Sequence, residues 1–367
     1  MSDTCDAVVI GAGIVGAATA AALASDGLRV TVVESSVVGG GATAAGMGHI
    51  VVMDDSEAQF ALTRYSRDLW NAMQTPPQVE FERRGTLWVA ADEEELAEVW
   101  RKAEFYAARG VRAEILDARA LADAEPNLRP GLAGALLVPD DIVIYAPCAA
   151  RWLIEQSSAT LRAGAVKAID ANGVVLSDGT RMAAGVIVCA AGSWATALVP
   201  GLVIRPRKGH LAITERYPGF VRHQLVELGY LKSAHGSADE SVAFNVQPRA
   251  TGQLLIGSSR QFGADHSEVD APLLARMLAR AIEYMPRLAK LSVIRTWTGF
   301  RAATPDRLPI IGRSPERPNV YLATGHEGLG ITTSLGTARL LADLIAGRQP
   351  AIDPAPYQPC PSRFKFA

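Results

Sequence analysis

The sequence has 367 residues, 49% of them apolar and 20% charged, with 36 basic against 38 acidic side chains. That balance excludes a disordered chain and leaves room for two packed units. No run of Lys/Arg interleaved with aromatics occurs, so the electrostatic footprint of a nucleic-acid binder is missing and small-molecule chemistry is the expectation.

Four cysteines, Cys5, Cys148, Cys189 and Cys360, lie far apart without a C-x-x-C pair. This argues against a disulfide framework and a zinc site, and fits a reducing cytoplasm with no metal. The segment 7–24 carries no charge and has the look of a leader or a membrane span. Asp3 and Asp6 precede it without a basic residue, and strand-like and helix-like halves meet inside it at a glycine cluster, so neither a leader nor a transmembrane segment is expected.

In chain order, Ala7–Ile10 reads as a short buried strand, Ile14–Ser25 as an Ala-rich helix ending near Gly27, and Arg29–Glu34 as a second β-branched strand. That is a βαβ opening. The glycine-rich stretch from Gly39 to Gly48 is too permissive for regular structure and too apolar for a solvated linker. A strand at Gly85–Ala90, an acidic helix from Asp92 and a strand at Gly134–Val138 follow. Cys148–Leu161 reads as a helix. Val166–Ile169, Gly173–Leu176 and Thr180–Ala183 read as short strands joined by Asn172-Gly173 and Asp178-Gly179, both hairpin signals.

Gly185–Ala190 has the texture of a buried parallel strand. Residues 203–298 suggest an antiparallel sheet with one helix, Ala271–Tyr284. Val320–Thr324 is the last strand, and Thr332–Ala346 the last helix, closed by Gly347. The reading is an α/β protein in which 1–77, 141–202 and 299–367 form a discontinuous dinucleotide-binding domain of Rossmann type. An antiparallel-sheet domain, 78–140 and 203–298, is inserted in two pieces.

Gly11-Ala12-Gly13-Ile14-Val15-Gly16 is a G-x-G-x-x-G that follows a strand, opens a helix and has Glu34 at the end of the next strand. The first glycine permits the tight turn, the second lets a pyrophosphate approach the backbone, and the third lets helix pack on sheet. The helix start offers N–H groups to phosphates, and Glu34 accepts from ribose hydroxyls. NAD and FAD share this fingerprint. The strand running into Ala191-Gly192-Ser193-Trp194 and the loop Gly325-His326-Glu327-Gly328-Leu329-Gly330 before a helix resemble those of FAD enzymes whose C-terminal segment returns to the flavin, which implies FAD. A reduced flavin is anionic near N1 and C2=O, and a helix N-terminus at Gly328, Gly330, Ile331 and Thr332 suits that charge.

Together these segments, with Thr43-Ala44-Ala45-Gly46-Met47 and Thr298-Gly299-Phe300-Arg301, resemble the D-amino-acid oxidase or glycine oxidase (DAO) family of FAD-dependent oxidoreductases, over essentially the whole chain. The resemblance implies a glutathione-reductase-like FAD domain and oxidation of a C–N bond by hydride transfer to flavin N5. By position it implies FAD contacts from Glu34 and Ser35, from Thr43 to Met47 beside the isoalloxazine and from Val166 near the adenine. It extends them to Ala191, Gly192 and Trp194, and to Gly328, Leu329, Gly330, Ile331 and Thr332 around the pyrimidine ring. Arg301 stands where the family holds the substrate carboxylate, a role that suits a planar bidentate fork.

Two departures qualify the likeness. Glycine oxidases carry a second Arg where this chain has Gly328, and the family's Arg-Pro is Arg301-Ala302 here. The Gly-His-Glu-Gly-Leu-Gly loop looks more like the dehydrogenase branch, including subunits of D-hydroxyproline and proline dehydrogenases. A dehydrogenase of a small amino or imino acid implies partner subunits or an external acceptor, because the chain holds no Fe–S cysteine set; the alternatives are a glycine- or sarcosine-type oxidase using O2, or a flavin-carrying electron-transfer subunit inactive without partners. The loop lacks the cysteine of covalently flavinylated sarcosine oxidases, so FAD is expected to be non-covalent. Met47, His49 and Phe244 are candidate substrate contacts beside Arg301, with His49 also a candidate catalytic group. His210, Asn245 and Gln247 are further pocket candidates on strands.

Overall fold

A computed structural model describes residues 4–229 and 240–364. The chain divides into two compact units, residues 1–79, 145–207 and 300–367 in the first, and 80–144 and 208–299 in the second.

In the first unit the apolar, β-branched segments form a sheet whose main path runs Ile310–Arg313, Val320–Thr324, Arg181–Cys189, Thr4–Ile10, Val30–Glu34 and Thr160–Ala163. Its four central pairings are parallel, and Ile310–Arg313 joins antiparallel to Val320–Thr324. Val320–Thr324 and residues 7–10 of the first strand are continuously apolar or buried because both faces are covered, whereas the edge strand Thr160–Ala163 is largely exposed. The helix Ile14–Ser25 packs beside Gly330–Ala346, which also packs on Glu57–Ala72. Gly347 closes the last helix at φ +68°, the left-handed conformation glycine adopts without strain.

The second unit is built on a sheet in the order Val293–Ala303, Arg205–Arg216, Gln253–Gln261, Glu240–Pro248, Gln224–Glu227, Thr86–Ala90, Gly134–Val138 and Glu114–Asp117. Leu87, Leu225, Val246, Ile256 and Ala212 line one face of it, packed with Met277, Ala281 and Tyr284 of the helix Ala271–Tyr284. The sheet was expected to be antiparallel. Gln224–Glu227 instead runs parallel to Thr86–Ala90, because that pairing joins the two sequence-distant pieces of the unit rather than neighbours linked by a hairpin.

Three element assignments need correction. The helix read at 148–161 spans Ala146–Glu155: Pro147 occupies its first turn, and Thr160–Ala163 pairs as a strand beside Val30–Glu34 instead. The two strands read at 180–183 and 185–190 are one, Arg181–Cys189. It is held antiparallel by Gly173–Leu176 at one end and parallel by Thr4–Ile10 along its length. Glu57–Ala72, which has no assignment from sequence, is a helix whose N-cap Ser56 accepts from the Gln59 N–H at 3.1 Å.

Candidate flavin and substrate site

All the motif segments of the first unit converge at the carboxyl ends of its parallel strands, the edge at which open α/β sheets bind ligands. Gly11 leaves the first strand at φ +99°, and a Cβ on it would lie 2.8 Å from the Ala190 carbonyl oxygen. A Cβ on Gly16 would lie 2.0 Å from the Gly11 oxygen. The backbone can close this tightly only without side chains at those two positions. Gly13, the N-cap of the helix, has no side-chain cap of its own. The Thr43 hydroxyl supplies one from the glycine-rich loop, accepting from the Ile14 N–H at 3.0 Å.

Glu34 closes the other side. Its Oε2 accepts from the Ala12 N–H at 2.7 Å and its Oε1 from the Ser36 N–H at 2.9 Å, so the carboxylate is fixed between the glycine turn and the strand end. Ser35 is exposed beside it, its hydroxyl 3.4 Å from Oε1. The Gly164 N–H donates to the Glu34 carbonyl at 2.9 Å, which brings the Val166–Ile169 strand to the same corner, with half-buried Val166 packed against the core.

The loop from Gly41 to Gly46 winds in successive turns, with Ala44, Ala45 and Met47 half-buried. A Cβ on Gly46 would collide with Ile331 Cδ1 at 2.7 Å, and Gly41 meets the exposed Trp194 ring. Ala191 and Gly192 form the turn after Arg181–Cys189, where the Thr324 hydroxyl donates to the Gly192 oxygen at 2.9 Å. Thr332 Oγ1 donates to the His49 oxygen at 2.9 Å and lies 3.3 Å from the Val51 N–H that donates to it. Gly330 opens the last helix next to Val15, 3.8 Å from where its Cβ would be.

The first turns of the two helices therefore meet at Val15 and Gly330, and neither holds an acidic residue. Their partial positive charge is left for an anion. FAD fits this cradle: a pyrophosphate requires close backbone approach at a glycine turn and a helix start, and an anionic reduced flavin requires a second such start.

The loop Gly325–Leu329 is held by hydrogen bonds at His326, Glu327 and Leu329. Gly325 lies at φ +74°, and a Cβ on it would stand 2.5 Å from Thr304 Cγ2. His326 Nε2 pairs with Thr337 Oγ1 at 3.0 Å, and burial pushes its imidazole down to about 3, so the ring is neutral. The Glu327 N–H donates to the Ala302 oxygen at 3.0 Å and the Leu329 N–H to the His326 oxygen at 2.9 Å. Arg301, half-buried, lies alongside: a Cβ on Gly328 would stand 3.6 Å from its Nε and 3.7 Å from its Cδ.

Two candidates in the second unit take other roles. Phe244 is fully buried in the core, stacked on Tyr284 at 4.5 Å and 3°. Its neighbours Asn245 and Gln247 face the other way, buried, with Oδ1 and Oε1 lacking a hydrogen-bond partner among the described residues. His210 is a structural knot. Its Nε2 accepts from the Asp270 N–H at 3.0 Å, which puts the proton on Nδ1, 2.8 Å from Ser259 Oγ. Sequence reasoning missed one pair altogether, Arg207 and Glu327, whose Nη1 and Oε1 lie 2.5 Å apart.

The fold and this cradle define a flavoprotein oxidoreductase. The chain belongs to the DAO family of FAD-dependent oxidoreductases, whose family model matches residues 6–344. It is 28% identical to the glycine oxidase of Geobacillus kaustophilus over 97% of each chain. The crystal structure of that enzyme superposes with a TM-score of 0.86, covering 97% of this chain and 98% of that one. It is 31% identical to the D-amino acid dehydrogenase of Xanthobacter autotrophicus over 80% of this chain and 72% of that protein. The L-proline dehydrogenase from P. horikoshii shares the fold, with a TM-score of 0.85 at 24% identity and coverage of 95% of both chains. Among the described residues no helix is long and apolar enough to cross a membrane.

Proposed function

We propose that this enzyme oxidises the C–N bond of a small amino or imino acid, as a dehydrogenase of the D-hydroxyproline or proline type, with Arg301 as the carboxylate anchor. In this reading the first unit binds FAD non-covalently, since the Gly325–Gly330 loop has no cysteine, and the second is the substrate domain. Gly11–Gly16 receive the pyrophosphate, Glu34 and Ser35 the ribose, and Val166 the adenine side. Thr43–Met47 and Gly328–Thr332 enclose the ring system. FAD, when bound, supplies the hydride acceptor at N5.

The observation that carries the reading is Arg301 beside Gly328, two residues before the uncapped start of the Gly330–Ala346 helix. A guanidinium there would bind a substrate carboxylate bidentately and orient its α-carbon. The neighbouring His326 is neutral and adds no charge. Positioning does most of the work in such a transfer, and no side-chain base is required. Met47 and His49 lie on the segment that meets the start of the Gly330–Ala346 helix at Ile331 and Thr332, and are proposed as substrate contacts. Electrons would leave to partner subunits or an external acceptor. A second reading, an oxidase using O2, is favoured by the coverage of the Geobacillus glycine oxidase over 97% of both chains.

The test is anaerobic reduction of the purified holoenzyme with glycine, sarcosine, D-proline and the hydroxyproline isomers, followed by re-oxidation with air or with a dye. An imino acid that bleaches the flavin, with re-oxidation by dye and not by air, is the expected result. Arg301→Ala should raise KM by about 100-fold, the loss of a charge-assisted bidentate contact. No bleaching by any amine, or an Arg301→Ala enzyme with the parent KM, would overturn the reading.

A further inference from the structure

Glu327 holds a backbone conformation that glycine adopts freely and other residues seldom do, φ +48°. It sits in a loop that already contains glycines at 325, 328 and 330, so a carboxylate at this position is the informative feature. Its Oε1 accepts from Arg207 Nη1 at 2.5 Å, with the two side chains only 19% and 8% exposed. Its N–H donates to the oxygen of Ala302, forming an antiparallel bridge. The next residue, Gly328, lies against the Arg301 side chain.

Glu327 is therefore fastened at two points, to Ala302 and to Arg207. One is the carbonyl of Ala302, the residue that follows Arg301. The other is Arg207, on the strand Arg205–Arg216 that is hydrogen-bonded to the strand carrying Arg301. A bidentate carboxylate contact tolerates little angular error, and an ion pair sheltered from water on both sides keeps its geometry where an exposed pair does not.

We propose that the Arg207–Glu327 pair is a positioning device for Arg301, holding the strand end and the loop in the register that aims the guanidinium at a substrate carboxylate. The inference rests on the reading of Arg301 as the carboxylate anchor. Glu327 touches neither substrate nor flavin in this scheme and acts through the segment it clamps.

The test uses FAD-loaded enzyme and acetate as the carboxylate probe, with Kd read from the perturbation of the flavin spectrum, alongside KM and kcat for an amino acid that reduces the flavin. The double variant Arg207→Met, Glu327→Gly removes both charges, leaves neither buried alone, and suits the left-handed backbone. It should keep its FAD and melt within a few degrees of the parent, while acetate Kd and KM rise about tenfold and kcat changes less than about threefold. Arg207→Lys, which retains the pair, should stay within about threefold of the parent Kd. Parent Kd and KM in the double variant would overturn the proposal, as would a loss of affinity that tracks loss of FAD and melting temperature. Arg301→Ala separates the two readings. If it leaves acetate binding unchanged, the anchor itself fails; if it weakens acetate binding and the double variant does not, only the positioning role fails.

Discussion

A Cβ on Gly16 would stand 2.0 Å from the carbonyl oxygen of Gly11, whereas one on Gly13 would stand 3.4 Å from the Thr43 hydroxyl. The first is a clash with backbone, which cannot retreat without opening the helix–strand turn. The second asks a side chain to yield by a few tenths of an ångström. Gly16→Ala should therefore yield protein that is insoluble or lacks flavin, and Gly13→Ala protein that retains flavin with reduced affinity. The ratio of flavin to protein absorbance and the melting temperature check both. A Gly16→Ala protein with parental flavin content would show that the turn is looser than its geometry.

Thr43 and Ile14 make a non-local helix cap, 3.0 Å long and buried. Thr43→Val keeps the shape and leaves the Ile14 N–H without its acceptor, at a cost of about 1–2 kcal/mol. Because the cap orders the loop and the helix start together, FAD affinity should fall about tenfold, measured by fluorescence titration of apoprotein. Thr43→Ser, which keeps the hydroxyl, should bind nearly as the parent does.

The contrast between these glycines and the second unit shows which parts of the fold are legible in sequence. Gly11, Gly13, Gly16 and Glu34 are set by constraints that act within one βαβ turn, so their spacing alone announces them. Gly347 is equally local. Phe244 and Asn245 are different: the strand pairing shifts register between Val242 and Asn245, and which residue faces the Ala271–Tyr284 helix depends on a bulge that alternation cannot reveal. His210 is occupied by Ser259 and Asp270, both distant in sequence. Arg207 and Glu327 are 120 residues apart, and neither belongs to a pattern that calls for the other.

Cys189 lies fully buried in the central strand Arg181–Cys189, and burial pushes its thiol up to about 11. A thiolate is the reactive form, so this cysteine should resist alkylation in the folded enzyme. Cys5, Cys148 and Cys360, all half-buried, should label first with a small maleimide. Mass spectrometry of peptides labelled before and after denaturation checks this. Labelling of Cys189 in native protein at the rate of Cys5 would mean that the central strand opens.

His326 is buried against Thr337, and its folded-state value is pushed from 6.5 down to about 3 by loss of hydration. In the unfolded chain the same imidazole takes up a proton below about 6.5. Between those two values the unfolded state binds more protons than the folded one. Stability therefore falls as pH falls from neutrality towards 3, with a slope of up to about 1.4 kcal/mol per pH unit from this residue. Carboxylates titrate in the lower part of that window too, so the comparison that isolates the histidine is with His326→Gln. The variant should be less stable at pH 7, because the packing against Thr337 is lost, but its urea midpoint should decline less steeply between pH 6.5 and 5. Parallel slopes for the two proteins would mean that His326 is protonated in the fold, and that the loop before the last helix carries a positive charge beside Arg301.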